Sequence, residues 1–195
     1  MTAQVNHRRL IEKGRIFDIT TENVTLPNGY TIDLEIIRHP GASAIVPVTE
    51  KAEVLMLKQY RHAVGGFIWE IPAGTFDGSE DPLLCAKREL TEETGYQAMQ
   101  WTFLNTIVPV PGYSDEQIHI FLARDLKPAQ QELDRDEVLE VHPIHIDRIL
   151  TMISNGEIID AKTISGILLT VTGPESPFAL NSTNGAVPAD KPLRP

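Results

Sequence analysis

A single cysteine, Cys85, stands among 195 residues, so no disulfide can close within the chain. It falls in an acid-rich segment and reads as a small packing residue rather than a nucleophile. No apolar run is long enough to span a bilayer. The opening residues MTAQVNHRRLIEKGR contain no apolar signal core, which makes a cytoplasmic protein the default expectation. Basic runs are also missing: 17 Lys and Arg face 27 Asp and Glu, for a formal net charge of −10. That argues against non-specific nucleic-acid binding, which needs clustered cations. A nucleotide substrate stays compatible with the charge, because bound cations reverse the local sign. What is present is a 42% hydrophobic chain of a length that suits one domain with a small appendage and allows a buried core.

The most informative stretch is GTFDGSEDPLLCAKRELTEETGY, Gly74 to Tyr96. Asp81 suits an N-cap, and Pro82 suits the first helical position, where a missing N–H costs nothing. Gly95 suits the C-terminal stop. Leu83, Ala86 and Leu90 recur at helical spacing and predict a core-facing stripe. Glu89 and Glu93 lie one turn apart on another face, with Glu92 beside them. Like charges at that spacing oppose a helix by roughly 0.2–0.5 kcal/mol per pair. Arg88 can pair with Glu92 and offset part of this. Such a pair is either a solvated acidic face or a set of hard oxygen ligands for a divalent cation such as Mg²⁺.

Gly74, Glu80, Arg88, Glu89, Leu90, Glu92, Glu93, Gly95 and Tyr96 fall in the pattern G-x5-E-x7-R-E-U-x-E-E-x-G-U, where U is apolar or aromatic. This resembles the Nudix box with every defining position filled. The resemblance implies an α/β fold: an α/β/α sandwich around a mixed sheet, with the box as loop, helix and loop. It implies hydrolysis of a nucleoside diphosphate linked to another group, with Mg²⁺ or Mn²⁺. It also assigns metal ligation to Glu89 and Glu93, with Glu92 a further ligand candidate whose other role is the Arg88 pair. Ala73 matches a residue whose backbone carbonyl binds metal in such enzymes. Glu80 is expected to support the box loop, and Arg88 belongs with the catalytic set.

Taken in order, residues before about Arg15 read as an irregular lead-in. Ile16–Ile19, Glu22–Leu26 and Tyr30–Ile37 read as strands, and Asn28-Gly29 marks a tight hairpin. Residues 1–40 are thus expected to form a small antiparallel sheet that needs a partner surface. Residues 41–172 are expected to form the Nudix domain. Its strands are Ser43–Val48, Glu53–Tyr60, Phe67–Ile71, Trp101–Val108, Gln117–Ala123 and Glu137–Ile144, with Pro143 ending the last or placing it at an edge. Ile146–Ser154 and Asp160–Val171 read as helices. From residue 173 to 195 Pro, Ser, Asn, Gly and Ala dominate, the composition of a flexible tail.

Outside the box, Pro111 stands sixteen residues beyond Gly95, and PGYSDE (Pro111 to Glu116) resembles a substrate loop of ADP-ribose pyrophosphatases within the Nudix family. WEIPAG (Trp69 to Gly74), KQYRH (Lys58 to His62) and GEIIDAKT (Gly156 to Thr163) extend that likeness. The resemblance implies cleavage of ADP-ribose, with GDP-mannose or another nucleoside diphosphate sugar as the alternative substrate. A Nudix module that binds ADP-ribose without cutting it is the alternative of another class, disfavoured because all the box acids are present. The family places a metal-binding or basic acid on a late loop, where Glu137 aligns and Glu132, Asp134 and Asp136 are rivals. Arg61 matches a phosphate-holding position or forms a surface ion pair, and Arg38 is a weaker match of the same kind. Phe17 either stacks on adenine or packs in a core. Ser114 and Glu116 are candidates for the terminal ribose or diphosphate, whereas His119 and His142 read as structural. The family also implies a homodimer whose N-terminal strands cross to the partner.

Overall fold

The polar N-terminus is a strand. In the computed structural model, which describes residues 2–178, β1 (Gln4–Lys13) pairs antiparallel with β2 (Asp18–Thr25), and β2 with β3 (Thr31–Arg38). The expectation of an irregular lead-in is therefore corrected. Every residue of β1 is exposed, so the strand has no buried face and no period-two signal in its side chains. It pairs with β2 along one edge, from Gln4↔Thr25 to Lys13↔Asp18, with two shifts of register. The two short strands expected at residues 16–26 are one strand, and Phe17 lies just before it. The hairpin at Asn28-Gly29 forms as expected, with Gly29 at φ 84°. On the inner face of this sheet Glu22 is buried and ion-paired to Arg8 at 2.6 Å and to Arg38.

The remaining strands make two further sheets. One is mixed, in the order β7 (Ala73–Thr75), β4 (Ala42–Pro47), β9 (Ile118–Pro128), β8 (Tyr96–Ile107), with only β4 and β9 parallel. The other is antiparallel, in the order β10 (Leu139–His145), β5 (Glu53–Arg61), β6 (Gly66–Glu70). Pro143 sits in the edge strand β10 opposite Leu55, where its missing N–H breaks no inner ladder. Glu137 precedes that strand rather than opening it. All six residues of β4 are buried, as a strand covered on both faces must be.

Helices cover both faces, which makes an α/β/α sandwich. On one side α1 (Pro82–Thr94) sets Ala86 and Leu90 against Ile45, Phe121 and Ala123. On the other, α3 (Ala161–Thr172) lies so close that a Cβ on Gly166 would sit 2.9 Å from Ile71 and 3.1 Å from Val46. The larger core, including Val46, Met56, Ile71, Ile120, Ile149 and Ile167, fills the space between the sheets, α3 and α2 (Ile146–Ser154). Phe178 packs against this core, and the expected tail from residue 179 on lies outside the described residues. Among the described residues no helix is long and apolar enough to cross a membrane.

Candidate active site

Helix α1 starts and stops where its end residues dictate. The Asp81 carboxylate accepts from the N–H groups of Leu83 and Leu84 at 2.9 and 3.2 Å, and Gly95 closes the helix at φ 71°. Because β7 runs beside the helix, Ala73 and Gly74 face its acidic side. Glu93 is 1% exposed, and its Oε2 accepts the Ala73 N–H at 2.9 Å. Glu89, also buried, lies flat on Gly74: a Cβ there would come within 1.8 Å of Glu89 Oε1. Only glycine leaves room for that carboxylate.

Arg88 is the organiser of the acids. Its Nε and Nη2 donate to the two oxygens of Glu80 at 3.1 and 2.9 Å. Its Nη1 donates to Glu89 at 2.6 Å and to Glu92 at 3.0 Å, and Nη2 also reaches the Thr75 carbonyl at 3.2 Å. Glu80 thus supports the box loop, its Oε2 also accepting the Asp77 N–H. The fork of Glu80 around the guanidinium lowers the Glu80 carboxyl below its ordinary value and raises Arg88.

One arginine cannot neutralise this many carboxylates. Burial pushes the Glu89 carboxyl up to about 7, with Arg88 opposing and the charges of Glu92 and Glu137 adding to the rise. Burial, then the Glu89 charge, holds Glu93 well above the ordinary carboxylate range. Removing a buried charge from water is costly without a counter-charge. Cys85, pressed between this helix and the Gly74 carbonyl at 3.4 Å, is pushed up to about 12 by burial and is inert as a nucleophile.

A cleft of about 720 Å³ opens over these groups. Arg61, Ala73, Gly74, Arg88, Glu89, Glu116 and Glu137 line it, together with Arg15, Ile16 and Lys162. Glu93 and Glu92 are not among the lining residues: Glu93 is buried, and Glu92 is paired with Arg88. Glu137 is carried by a loop whose base is tied to the end of α1. Gln131 donates to the Glu93 carbonyl at 2.6 Å, and the Glu132 N–H to the Glu92 carbonyl at 3.1 Å. Farther along, Glu137 Oε2 accepts the Asp134 N–H at 2.9 Å, and Asp136 meets Arg15 at 3.2 Å.

Arg38, Ser114 and Phe17 also stand outside the cleft wall. Arg38 is shared between Glu22 and Asp115, the latter at 2.9 Å, which stitches the Pro111–Glu116 loop onto β3. Ser114 is buried, and its Oγ accepts the Glu116 N–H at 3.2 Å, fixing the backbone of a residue that does face the cleft. Phe17 is 41% exposed next to Ile16. The sequence reading passed over Glu70, Lys162 and Gln131. The first two lie inside WEIPAG and GEIIDAKT, so the motif was visible while the side chain within it was not singled out.

The donor chemistry suits a hard divalent cation: carboxylate oxygens of Glu89, Glu93, Glu92 and Glu137, and the backbone carbonyl of Ala73. Among the described residues no three acidic, histidine or cysteine side chains converge closely enough to enclose an ion as they stand. Glu89 is turned onto Arg88 and Glu93 onto the Ala73 N–H.

The chain is similar to known proteins along most of its length. The NUDIX domain profile matches residues 37–165. An ADP-ribose pyrophosphatase of Bacillus subtilis is 40% identical over 159 residues, 80% of this chain and 86% of that protein. A methanol dehydrogenase activator of Bacillus methanolicus is 38% identical over the same shares. The crystal structure of an ADP compounds hydrolase superposes with a TM-score of 0.76 at 22% identity, covering 87% of this chain and 92% of that one.

Proposed function

The chain belongs to the Nudix family of hydrolases, and from that premise we propose that it cuts the diphosphate of ADP-ribose to AMP and ribose 5-phosphate. The observation that carries the proposal is the pair of buried glutamates, Glu89 and Glu93, held against Gly74 and Ala73 beside a cleft that Glu89 and Glu137 both line. The name of the Bacillus subtilis relative, ADP-ribose pyrophosphatase, supports the substrate. The near-equal likeness to a methanol dehydrogenase activator is the reason to test it directly.

Nudix hydrolases depend on a divalent metal, and we assign Mg²⁺, with Mn²⁺ as a substitute, to Glu89, Glu93, Glu92, Glu137 and the Ala73 carbonyl. When bound, the ion supplies phosphate neutralisation and a more acidic water. The chain supplies the rest. Arg88 holds Glu80, Glu89 and Glu92 in register and touches no substrate. Glu137 takes the proton of the attacking water, which requires it within about 3 Å of that water or one water removed. Arg61 meets the diphosphate, its planar fork suiting two phosphate oxygens. Glu116, fixed by Ser114, meets the terminal ribose. Phe17 offers its exposed ring to adenine at the rim, and Arg38 keeps the Pro111–Glu116 loop in place.

We also read residues 1–40 as a dimerisation element, 41–172 as the catalytic domain and 173–195 as a tail. Strand β1 exposes Val5, Leu10 and Ile11, an apolar surface that a second copy would bury. The protein on this reading is a cytoplasmic homodimer, and its lone cysteine needs no oxidising compartment. Sedimentation equilibrium checks this, and a monomer of full activity would remove the dimer.

The activity is tested by a hydrolysis panel with Mg²⁺ over ADP-ribose, GDP-mannose, NADH, diadenosine polyphosphates and nucleoside triphosphates. The expected result is AMP and ribose 5-phosphate from ADP-ribose at the highest kcat/KM. Preferred cleavage of GDP-mannose would replace the substrate. Binding of ADP-ribose without turnover would make the protein a sensor.

A further inference from the structure

The floor of the cleft holds a second ionic network that the box does not explain. Glu70, at the end of β6, is 3% exposed. Arg61 Nε donates to its Oε2 at 2.8 Å, and Arg61 Nη2 lies 2.8 Å from the same oxygen. Its other oxygen, Oε1, accepts Lys162 Nζ at 2.9 Å. Lys162 Nζ also reaches Asp160 Oδ2 at 3.1 Å. That Asp160 oxygen accepts the Thr163 N–H at 2.9 Å and the Thr163 hydroxyl at 2.6 Å, and Thr163 Oγ1 in turn accepts the Ile71 N–H at 2.9 Å. The chain of bonds therefore locks the start of α3 to the segment that continues through Pro72 into Ala73 and Gly74.

A network meant only for stability has little reason to line a solvent-filled cleft. Burying ion pairs gains little over apolar packing of the same volume. Here both cations, with Asp160, form part of the cleft wall. Neither is exhausted by its partners. Lys162 uses two of its three N–H donors on Glu70 and Asp160, and Arg61 uses only one edge of its guanidinium. One carboxylate holds both cations, one on each oxygen, which keeps the two side by side in the cleft wall.

We propose that Arg61 and Lys162 form a two-cation clamp for the diphosphate, and that Glu70 is the positioning residue that sets it. The proposal rests on the cleft being a diphosphate site, but its test does not need the substrate to be known. Glu70 touches no substrate. It acts by holding two flexible side chains in one place before the ligand arrives, which removes the ordering cost each would otherwise carry on binding.

The test measures binding of inorganic pyrophosphate in the presence of Mg²⁺ by calorimetry on the full chain, with thermal unfolding recorded alongside. Lys162→Met should weaken pyrophosphate at least tenfold, and Lys162→Arg should stay within about threefold of the parent. Glu70→Gln should weaken it as well. In the Lys162→Met background the same Glu70 change should add much less than it does alone, because the two act on one clamp. Unchanged pyrophosphate affinity in Lys162→Met, with or without a lower melting temperature, overturns the clamp. If Glu70→Gln does not fold, Glu70→Asp, which keeps the charge and withdraws it from both cations, takes its place. Full additivity of the two changes overturns the positioning role. A flat hydrolysis panel for the parent protein, with pyrophosphate binding that still depends on Lys162, would sink the ADP-ribose reading and leave the clamp standing.

Discussion

Glu89→Gln should flatten the pH dependence of stability of the metal-free protein. The Glu89 carboxyl is raised from 4.5 to about 7 by burial, with the charges of Glu92 and Glu137 adding to it. The folded state therefore holds this proton more tightly than the unfolded chain. The stability it contributes is fully present below the unfolded value, falls as pH rises between the two values, and is gone above the folded one. A shift of roughly 2.5 units at about 1.4 kcal/mol per unit makes the loss roughly 3 kcal/mol. Glu93 shifts in the same direction and leaves a residual slope in the variant. Glu22, Glu80 and Asp115 are held below their ordinary values and titrate with the opposite sign, at lower pH. The assay is urea unfolding in a chelator at steps between about pH 5 and pH 8, with the linear extrapolation applied at each. The parent should lose stability across that window and Glu89→Gln should lose much less. Mg²⁺ should restore the parent most at the alkaline end, by mass action on the folded state. Equal stability of the parent at both ends, or an unchanged slope in the variant, would refute the burial argument.

Other changes reach the same site from different sides. Gly74→Ala places a methyl on the Glu89 carboxylate and should cost about 1–3 kcal/mol of stability with a larger proportional loss of turnover; normal Mg²⁺ dependence would show that Glu89 has room elsewhere. Arg88→Lys should fail to rescue Arg88→Met, because an ammonium cannot fork Glu80 while reaching Glu89 and Glu92; both should lose about 3–5 kcal/mol by thermal or urea unfolding. Glu137→Gln should lower kcat far more than it alters KM, and an unchanged rate would move the base to a neighbour on that loop. Cys85 should resist thiol reagents at mildly alkaline pH until the protein unfolds, and rapid labelling of the native chain would contradict its burial.

How much of this was legible depended on whether a residue's role left a local signature. Helix α1 was readable from Asp81, Pro82 and Gly95, because caps act within one turn of the residue that makes them. The hairpin at Asn28-Gly29 was readable for the same reason. Strand β1 was not, since a strand exposed on both faces needs no alternation, and pairing with β2 is all that fixes it. Nothing local marks Glu22, and only the meeting of Arg8 and Arg38 over it makes a buried site. Gly74 was visible as a box position, but its packing under Glu89 is a contact across fifteen residues of chain. Glu70 and Lys162, 92 positions apart, meet only because α3 docks on the end of β6. Arg38 and Ser114 resemble substrate positions in sequence, and only the fold shows that Arg38 Nη1 and Nη2 meet Asp115 and Glu22 and that Ser114 Oγ accepts the Glu116 N–H. Pairing of that kind has no trace in residue type.

The account turns on why two carboxylates are kept dry on one helical turn. Crystals grown with Mn²⁺ and a non-hydrolysable ADP-ribose analogue allow the ion to be located by its anomalous scattering. The account predicts a peak within coordinating reach of Glu89, Glu93 and the Ala73 carbonyl, with the analogue's diphosphate against it. Glu89 still turned onto Arg88, with no peak in that cleft or with the ion bound elsewhere, would contradict it.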